Sequence, residues 1–475
     1  MSAQDLPACR IDATGARRVD FKVLLRLAAP LMVTNAIQAL LNLTDTWFIG
    51  HISTAAVAAI SAIYWLLTCL ILLLGGVGLA VQSFVSQADG AGRHARASQS
   101  LWNGLWASLC SIPAFLVAAW AGRPLLELAG LAPEIRDLAV AFWEPRMGGA
   151  FLGAITWGLM SFFNGIGATR VTFIVALATM LINVAANQWF IFEFGWGIAG
   201  SAWATNLAQF CGLLVGLGFL CSGPIARRYK TLLTWRPRSA MVRRQLAVGF
   251  PIGAMYGADV LGLALMQLMV SQVGTVGAAA TQIVIMLTSI AYMPGLGLAT
   301  AGTTVVGQAI GAGDRDWAAH LGTVIVRTCA GFMFGVAVLM LLIGPWLLPT
   351  FITPGDPQAR ETVEIALLLL WPAAAYQLFD GLYFGSSFCL RAAGDTAVPA
   401  ATALILSWGL NVPLAHMLVF DAEHAWLAGL PQFGLGALGG WLALMCYVFV
   451  LGTAMYRRWR SERWRNIDLW GRAAA

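Results

Sequence analysis

About twelve stretches of roughly 20 mostly apolar residues follow one another along the chain, separated by short polar connections. They begin near residues 25, 55, 97, 146, 171, 198, 245, 276, 320, 364, 398 and 433, and the last ends before a polar segment opening at Tyr456. A helix of that length, rising about 1.5 Å per residue, crosses the roughly 30 Å hydrocarbon core of a bilayer. Strands of a barrel would show runs of about ten residues alternating in polarity, and that pattern is not seen. The pattern predicts an all-α membrane protein with twelve transmembrane helices.

Composition strengthens that reading. Of 475 residues, 59% are hydrophobic and only 11% charged, with a mean hydropathy of +0.76. Soluble domains carry roughly 25% charged residues, so most of this surface must face lipid. The net charge of +6 does not point to nucleic acid, because the basic residues gather in alternate connections. Arg227, Arg228, Lys230, Arg236, Arg238, Arg243 and Arg244 lie between the sixth and seventh stretches, and six more run from Arg457 to Arg472. That asymmetry predicts cytoplasmic placement for both termini and for the 222–245 connection, and the near-exclusive use of Arg over Lys, with abundant Ala, suggests a GC-rich bacterial genome and hence a bacterial inner membrane. The first twenty residues are polar and lack the features of a cleavable signal. Cys69, Cys110, Cys211, Cys329, Cys389 and Cys446 sit inside apolar stretches and read as small hydrophobes. Trp47, Trp189, Trp346, Trp371 and Trp459 stand near segment ends, as interfacial anchors do.

The basic connection divides the chain into two similar halves. Pro30 and Pro251 open them, and Gln87-Ala88-Asp89-Gly90-Ala91-Gly92 returns as Gln308-Ala309-Ile310-Gly311-Ala312-Gly313 at the same offset. Gly167-Ala168-Thr169 is echoed by Gly394-Asp395-Thr396, Asn183 by Asn411, and the glycines at 195, 197 and 200 by those at 434, 436 and 439. Six helices plus six keep both halves in one orientation, an arrangement typical of secondary transporters with a site between the repeats. Neither Gly-Ala-Gly carries the Lys-Ser/Thr of a phosphate-binding loop, so both read as tight turns. The expected boundaries are a cytoplasmic segment at 1–21, a first lobe at 22–222, a basic linker at 223–244, a second lobe at 245–456 and a cytoplasmic tail at 457–475.

Three acids, Asp45, Asp259 and Asp380, lie inside apolar stretches, where a carboxylate costs about 3 kcal/mol. Such groups face a wet cavity, hold a cation or stay protonated; bonding across helices is the structural alternative. Asn35, Gln38, Asn42 and Asp45 share one helical face, as do Asn183 and Asn187, and Thr205 can join them. In the second half Tyr376 and Tyr383 flank Asp380, Met255 and Tyr256 precede Asp259 by one turn, and Gln282 is a further polar candidate. Carboxylates bind cations or protons, and aromatic walls attract organic cations. His51, His94, His320, His416 and His424 are scattered towards segment ends, so hydrolytic chemistry is not indicated and the chain does not read as an enzyme.

Pro30 with Leu43-Thr44-Asp45-Thr46 and Gly50, the repeated QAxGAG and Tyr376-Gln377-x-x-Asp380 resemble the multidrug and toxic compound extrusion (MATE) family. Gly249-Phe250-Pro251-Ile252, with an acid eight residues beyond the proline, resembles its NorM-like branch. The likeness spans roughly 22–456. It implies two pseudo-symmetric six-helix bundles forming a V, and export of cationic, often aromatic, compounds in exchange for Na⁺ or H⁺. It further implies a first-lobe cation site at Asp45, Asn183, Asn187 and Thr205, and a second-lobe site, open to Na⁺, at Asp259, Tyr376 and Asp380. Asn35, Gln38, Asn42, Met255, Tyr256, Gln282 and Tyr383 are the candidates for contact with the exported compound. The NorM-like pattern has Glu where this chain has Asp259, one methylene shorter; Asn187 stands where the DinF-like branch has an acid. No cofactor and no obligate protein partner are expected, and two complete lobes make a monomer sufficient. A flippase for a lipid-linked precursor and, more remotely, an ion channel are the rival readings.

Overall fold

The computed structural model describes residues 6–13, 15–128, 130–351, 358–423, 425–427 and 429–470; His424 and Arg472 lie outside them. Eleven helices among these residues are long and apolar enough to cross a membrane. In chain order the longer helices are α1 (Phe21–Gly50), α2 (Thr54–Gly90), α3 (His94–Trp120), α4 (Pro133–Gly148), α5 (Ala150–Gly165), α6 (Thr169–Glu193) and α7 (Gly197–Cys221). After the basic connection come α8 (Ser239–Val273), α9 (Thr275–Gly311), α10 (Arg315–Phe351), α11 (Ala359–Ala393), α12 (Ala397–Val419) and α13 (Gly436–Arg460). Two stretches are interrupted: α3 carries a turn at Cys110–Ser111, and the stretch expected near 146 falls into two helices. The latter is divided between α4 and α5 at Gly149, where Asn206 of α7 donates to the Pro145 carbonyl at 2.6 Å. A side chain at 149 would overlap that amide.

Side chains start several helices by accepting backbone N–H groups that have no partner inside the helix. Asp20 accepts from Lys22, Ser53 from Ala56, and Asp314 from Trp317. The Trp317 N–H and the Arg17 guanidinium, 2.6 Å away, hold the Asp314 carboxyl below the usual carboxylate range. Arg17 belongs to a short hairpin, β1 (Cys9–Ile11) with β2 (Arg17–Val19), within the segment read from sequence only as polar. At the other end of the chain Trp459 and Trp464 stack 4.6 Å apart, and Trp470 lies edge-on to Phe84.

The halves meet through two equivalent helix pairs, α2 with α8 and α9 with α1. Lipid gives no hydrophobic drive for helix pairing, so close backbone packing and hydrogen bonds must supply it. A Cβ on Gly76 or Gly249 of one pair would strike the backbone of the opposing helix, and so would one on Gly253 or, in the other pair, Gly297. The repeated QAxGAG acts in the same crossed fashion. Gln87 donates to Ala392 O at 2.8 Å, and Gln308 donates to Asp89 at 3.0 Å and to Gly165 O at 3.4 Å. Gly90 packs on the backbone of Gln308, and Gly311 on that of Gln87. Gly92 and Gly313, with φ of 70° and 87°, make the left-handed turns expected of the loops. Tyr229 completes the contact by donating to Asp89 at 2.6 Å; burial and the Asp89 charge push its phenol up, so it remains a donor. Between these layers Arg391 of α11 reaches across to Leu79 O at 2.8 Å and to Gln82 at 3.3 Å. Gln82 in turn donates to Thr300 O and Thr304.

Replacing both Gln87 and Gln308 by Ala removes three bonds between the halves, each contributing about 1 kcal/mol. The population with this end parted should rise roughly a hundredfold. Spin labels at Ala91 and Ala312 in a cysteine-free background are expected to show a second, longer distance in the double variant. An unchanged distance distribution would show that the glutamines do not hold this end closed.

Candidate functional site

In the first half, the residues that sequence spacing grouped do converge. Asn187 of α6 donates to one oxygen of Asp45 at 2.6 Å, and Thr205 of α7 to the other at 3.4 Å. Asn187 also donates to Asn183 at 3.1 Å, and Asn183 to Thr205 at 3.3 Å. Both asparagines are fully buried. Immediately after Asn187 the helix widens into a π-helical turn, Gln188–Glu193, a distortion frequent at functional sites. Among the described residues, Asn187 Oδ1 is buried with no partner, which leaves an oxygen acceptor beside the carboxylate.

Asp45 also has a charged neighbour that the sequence spacing does not indicate. Arg146 of α4 lies within Coulombic reach of Asp45. Its sequence neighbours Glu144 and Pro145 make it read as part of a connection, and only the packing of α4 beside α7 brings it to the acid. Along α1, Gln38 and Asn42 are exposed on the face that carries Asp45. Asn35 is half-buried and reaches Met293 O at 3.3 Å, across to the other half.

In the second half the two acids have separate surroundings. Asp259 of α8 accepts from Tyr383 of α11 at 2.9 Å and from Tyr447 of α13 at 2.7 Å. Tyr383, expected on a wall contacting the exported compound, is therefore a donor to Asp259. Tyr447 was not foreseen. A lone tyrosine inside the apolar run of α13 was the available signal, but nothing in the spacing tied it to an acid nearly 190 residues earlier. Two phenol donors satisfy one oxygen each and stabilise the charged carboxylate.

Asp380 is 3% exposed, and among the described residues no hydrogen bond to it is formed. Asp259 acts on it as a like charge, and Tyr292, Tyr376 and Tyr447 lie within its field. Tyr376 stands edge-on to Trp441, 6.3 Å between centroids, and does not bond Asp259. Gln377 points the other way, to Thr288 O at 3.3 Å. Met255 is buried against Ser387, and Tyr256 engages Arg391 within the contact between halves. Gln282 pairs with Gln267 at 2.8 Å, two turns beyond Asp259, and touches neither acid. Among the described residues no group of three or more His, Cys, Asp or Glu side chains is placed to hold a metal ion.

A family model described as MatE matches residues 30–189 and 251–417, two matches whose starting points coincide with the repeated prolines. The chain is 28% identical over 451 residues to a "Probable multidrug resistance protein NorM" of Rhizobium meliloti (strain 1021), covering 93% of each. It is 31% identical over 451 residues to a protein of the same description from Burkholderia pseudomallei (strain K96243), covering 92% of each. Among solved structures, "Outward-facing conformation of a multidrug resistance MATE family transporter of the MOP superfamily" superposes with a TM-score of 0.78 at 18% identity. That alignment covers 92% of this chain and 95% of the other.

Tyr447→Phe and Tyr383→Phe should each destabilise the folded chain by about 1.5–3 kcal/mol, the range for a hydrogen bond to a charged group. Each is expected to be non-additive with Asp259→Leu in a thermal-unfolding double-mutant cycle in detergent. Additive losses would show that the phenols and the carboxylate do not act on one another.

Proposed function

The chain belongs to the MatE family, and from that premise we propose that it is a secondary multidrug efflux transporter for small, often aromatic, organic cations, driven by Na⁺ or H⁺. The observation that carries this reading is the contrast between two neighbouring acids. Asp259 is held by two phenols, whereas Asp380 is buried and, among the described residues, receives no hydrogen bond. A buried carboxylate without donors gains from any cation that reaches it, and a second carboxylate nearby raises that gain. Asp380 is thus the group on which coupling ion and exported cation compete. The Asp45, Asn183, Asn187 and Thr205 cluster supports a second, oxygen-lined site for the same ions.

Transport follows from differential affinity for two states of the carrier. The described contacts close the end that carries the termini and the basic connection, while Gln38, Asn42 and Gln282 are exposed further along. With that end cytoplasmic, as the excess of Arg and Lys there favours, the conformation faces outward from the bacterial inner membrane. The halves 22–222 and 245–456 then rock about the α2–α8 and α1–α9 contacts, with 223–244 as linker and 457–475 as tail. A coupling ion arriving from outside neutralises Asp380, the bound cation leaves, and the unloaded acid is re-exposed inside. The relatives' description as multidrug resistance proteins supports the same substrate class. A pyrophosphate-bearing lipid is less well served, because Asp45, Asp259 and Asp380, the groups set deep in the apolar stretches, are acidic.

Ethidium efflux from proteoliposomes, with Na⁺ and pH gradients imposed separately, tests the proposal and names the ion. Asp380→Asn is expected to fall to background under either gradient while remaining monodisperse and thermally stable. Native efflux by that variant would refute the role of Asp380, and no efflux by the unaltered chain under both gradients would refute drug–ion exchange.

A further inference from the structure

The basic connection does not hang free; it is laid against the first turns of α3. Trp102 donates to Thr231 O at 2.8 Å and Trp106 to Trp235 O at 2.9 Å. Ser98 pairs with Thr234 at 2.8 Å, and the Arg238 N–H donates to Asn103 at 2.7 Å. Between the helix and this segment lies a cavity of about 660 Å³ lined by Arg96, Gln99, Leu233, Thr234, Arg236 and Arg238.

Its level along the membrane normal follows from lengths. The 37 residues of α2 rise about 55 Å, well beyond the roughly 30 Å hydrocarbon core, so the turn into α3 projects from the bilayer. Trp106 stands about 18 Å along α3 from His94, which returns the segment near Trp235 to the interface. There Leu232, Leu233 and Trp235 are 59%, 79% and 50% exposed. Such apolar exposure beside guanidinium groups suits acyl chains below and phosphate above.

The charge balance points the same way. Arg93 and Arg238 press on Arg96 as like charges, with Asp468 the opposing acid, and the Trp470 ring covers the Arg96 guanidinium at 4.2 Å. Arg236 and Arg238 are exposed at the cavity mouth. We propose that this crevice is a binding site for an anionic phospholipid, its phosphate headgroup held by Arg96, Arg236 and Arg238 and its chains lying over Leu232, Leu233 and Trp235. The site is separate from the transport acids and does not depend on what is exported.

Native mass spectrometry of the purified full chain, offered phosphatidylglycerol or phosphatidylcholine of matched chains, tests it. The unaltered chain is expected to retain phosphatidylglycerol at least about tenfold better, and the triple variant R96Q/R236Q/R238Q to lose that preference. Leu232→Glu with Leu233→Glu, which leaves every arginine in place, should lose it too and decides the matter should the triple variant not fold. Equal retention of both lipids by the unaltered chain, or a preference surviving in a folded variant, overturns the proposal. Displacement of the lipid by inorganic phosphate alone also overturns it, by assigning the crevice to soluble anions.

Discussion

Backbone lies directly on backbone where the two halves of this chain meet, and glycine is what allows it. Helices in lipid gain nothing from hiding apolar surface from one another, so their association rests on close packing and on hydrogen bonds made away from water. Gly76, Gly249, Gly253 and Gly297 bring α2 onto α8 and α9 onto α1. The approach in turn sets Gln87 and Gln308 within reach of carbonyls on the opposite half. Larger residues at these positions would part the helices, and with them the bonds of Arg391 to Leu79 and Gln82. The closed end of the molecule, and therefore the placement of its acids relative to the exposed face, depends on that contact.

The repeat builds scaffold and leaves chemistry to each half. At the offset that relates Pro30 to Pro251, Asp45 corresponds to Met266 and Asp259 to Gln38. The glutamine–glycine pairs that close the molecule are symmetric, whereas the acids are not. This fits their physical roles: an interface between equivalent bundles is satisfied by equivalent contacts, while a buried carboxylate needs a partner set of its own. Asp45 finds amides and a hydroxyl, Asp259 finds two phenols, and Asp380 sits among aromatic rings. The shorter reach of Asp259, noted from its sequence, is met by Tyr447 and Tyr383 coming to it.

Much of this architecture is legible in the sequence itself. Hydrophobic run length determined a helical membrane protein, because a helix must span a fixed thickness and satisfy its own backbone. The i, i+4 spacing of Asn183 and Asn187 determined that they share a face, and the repeated motif determined that the halves are related. The tertiary structure alone decided which residues from distant helices meet. It brought Tyr447 to Asp259, Arg146 to Asp45 and Tyr256 to Arg391, and it put Gln282 with Gln267 instead of with the acids. It also broke the segment near 146 at Gly149. Periodicity along one helix reports which face a residue occupies; it carries no information about which helix that face will pack against. That choice is made by the shapes and hydrogen-bonding needs of both surfaces together.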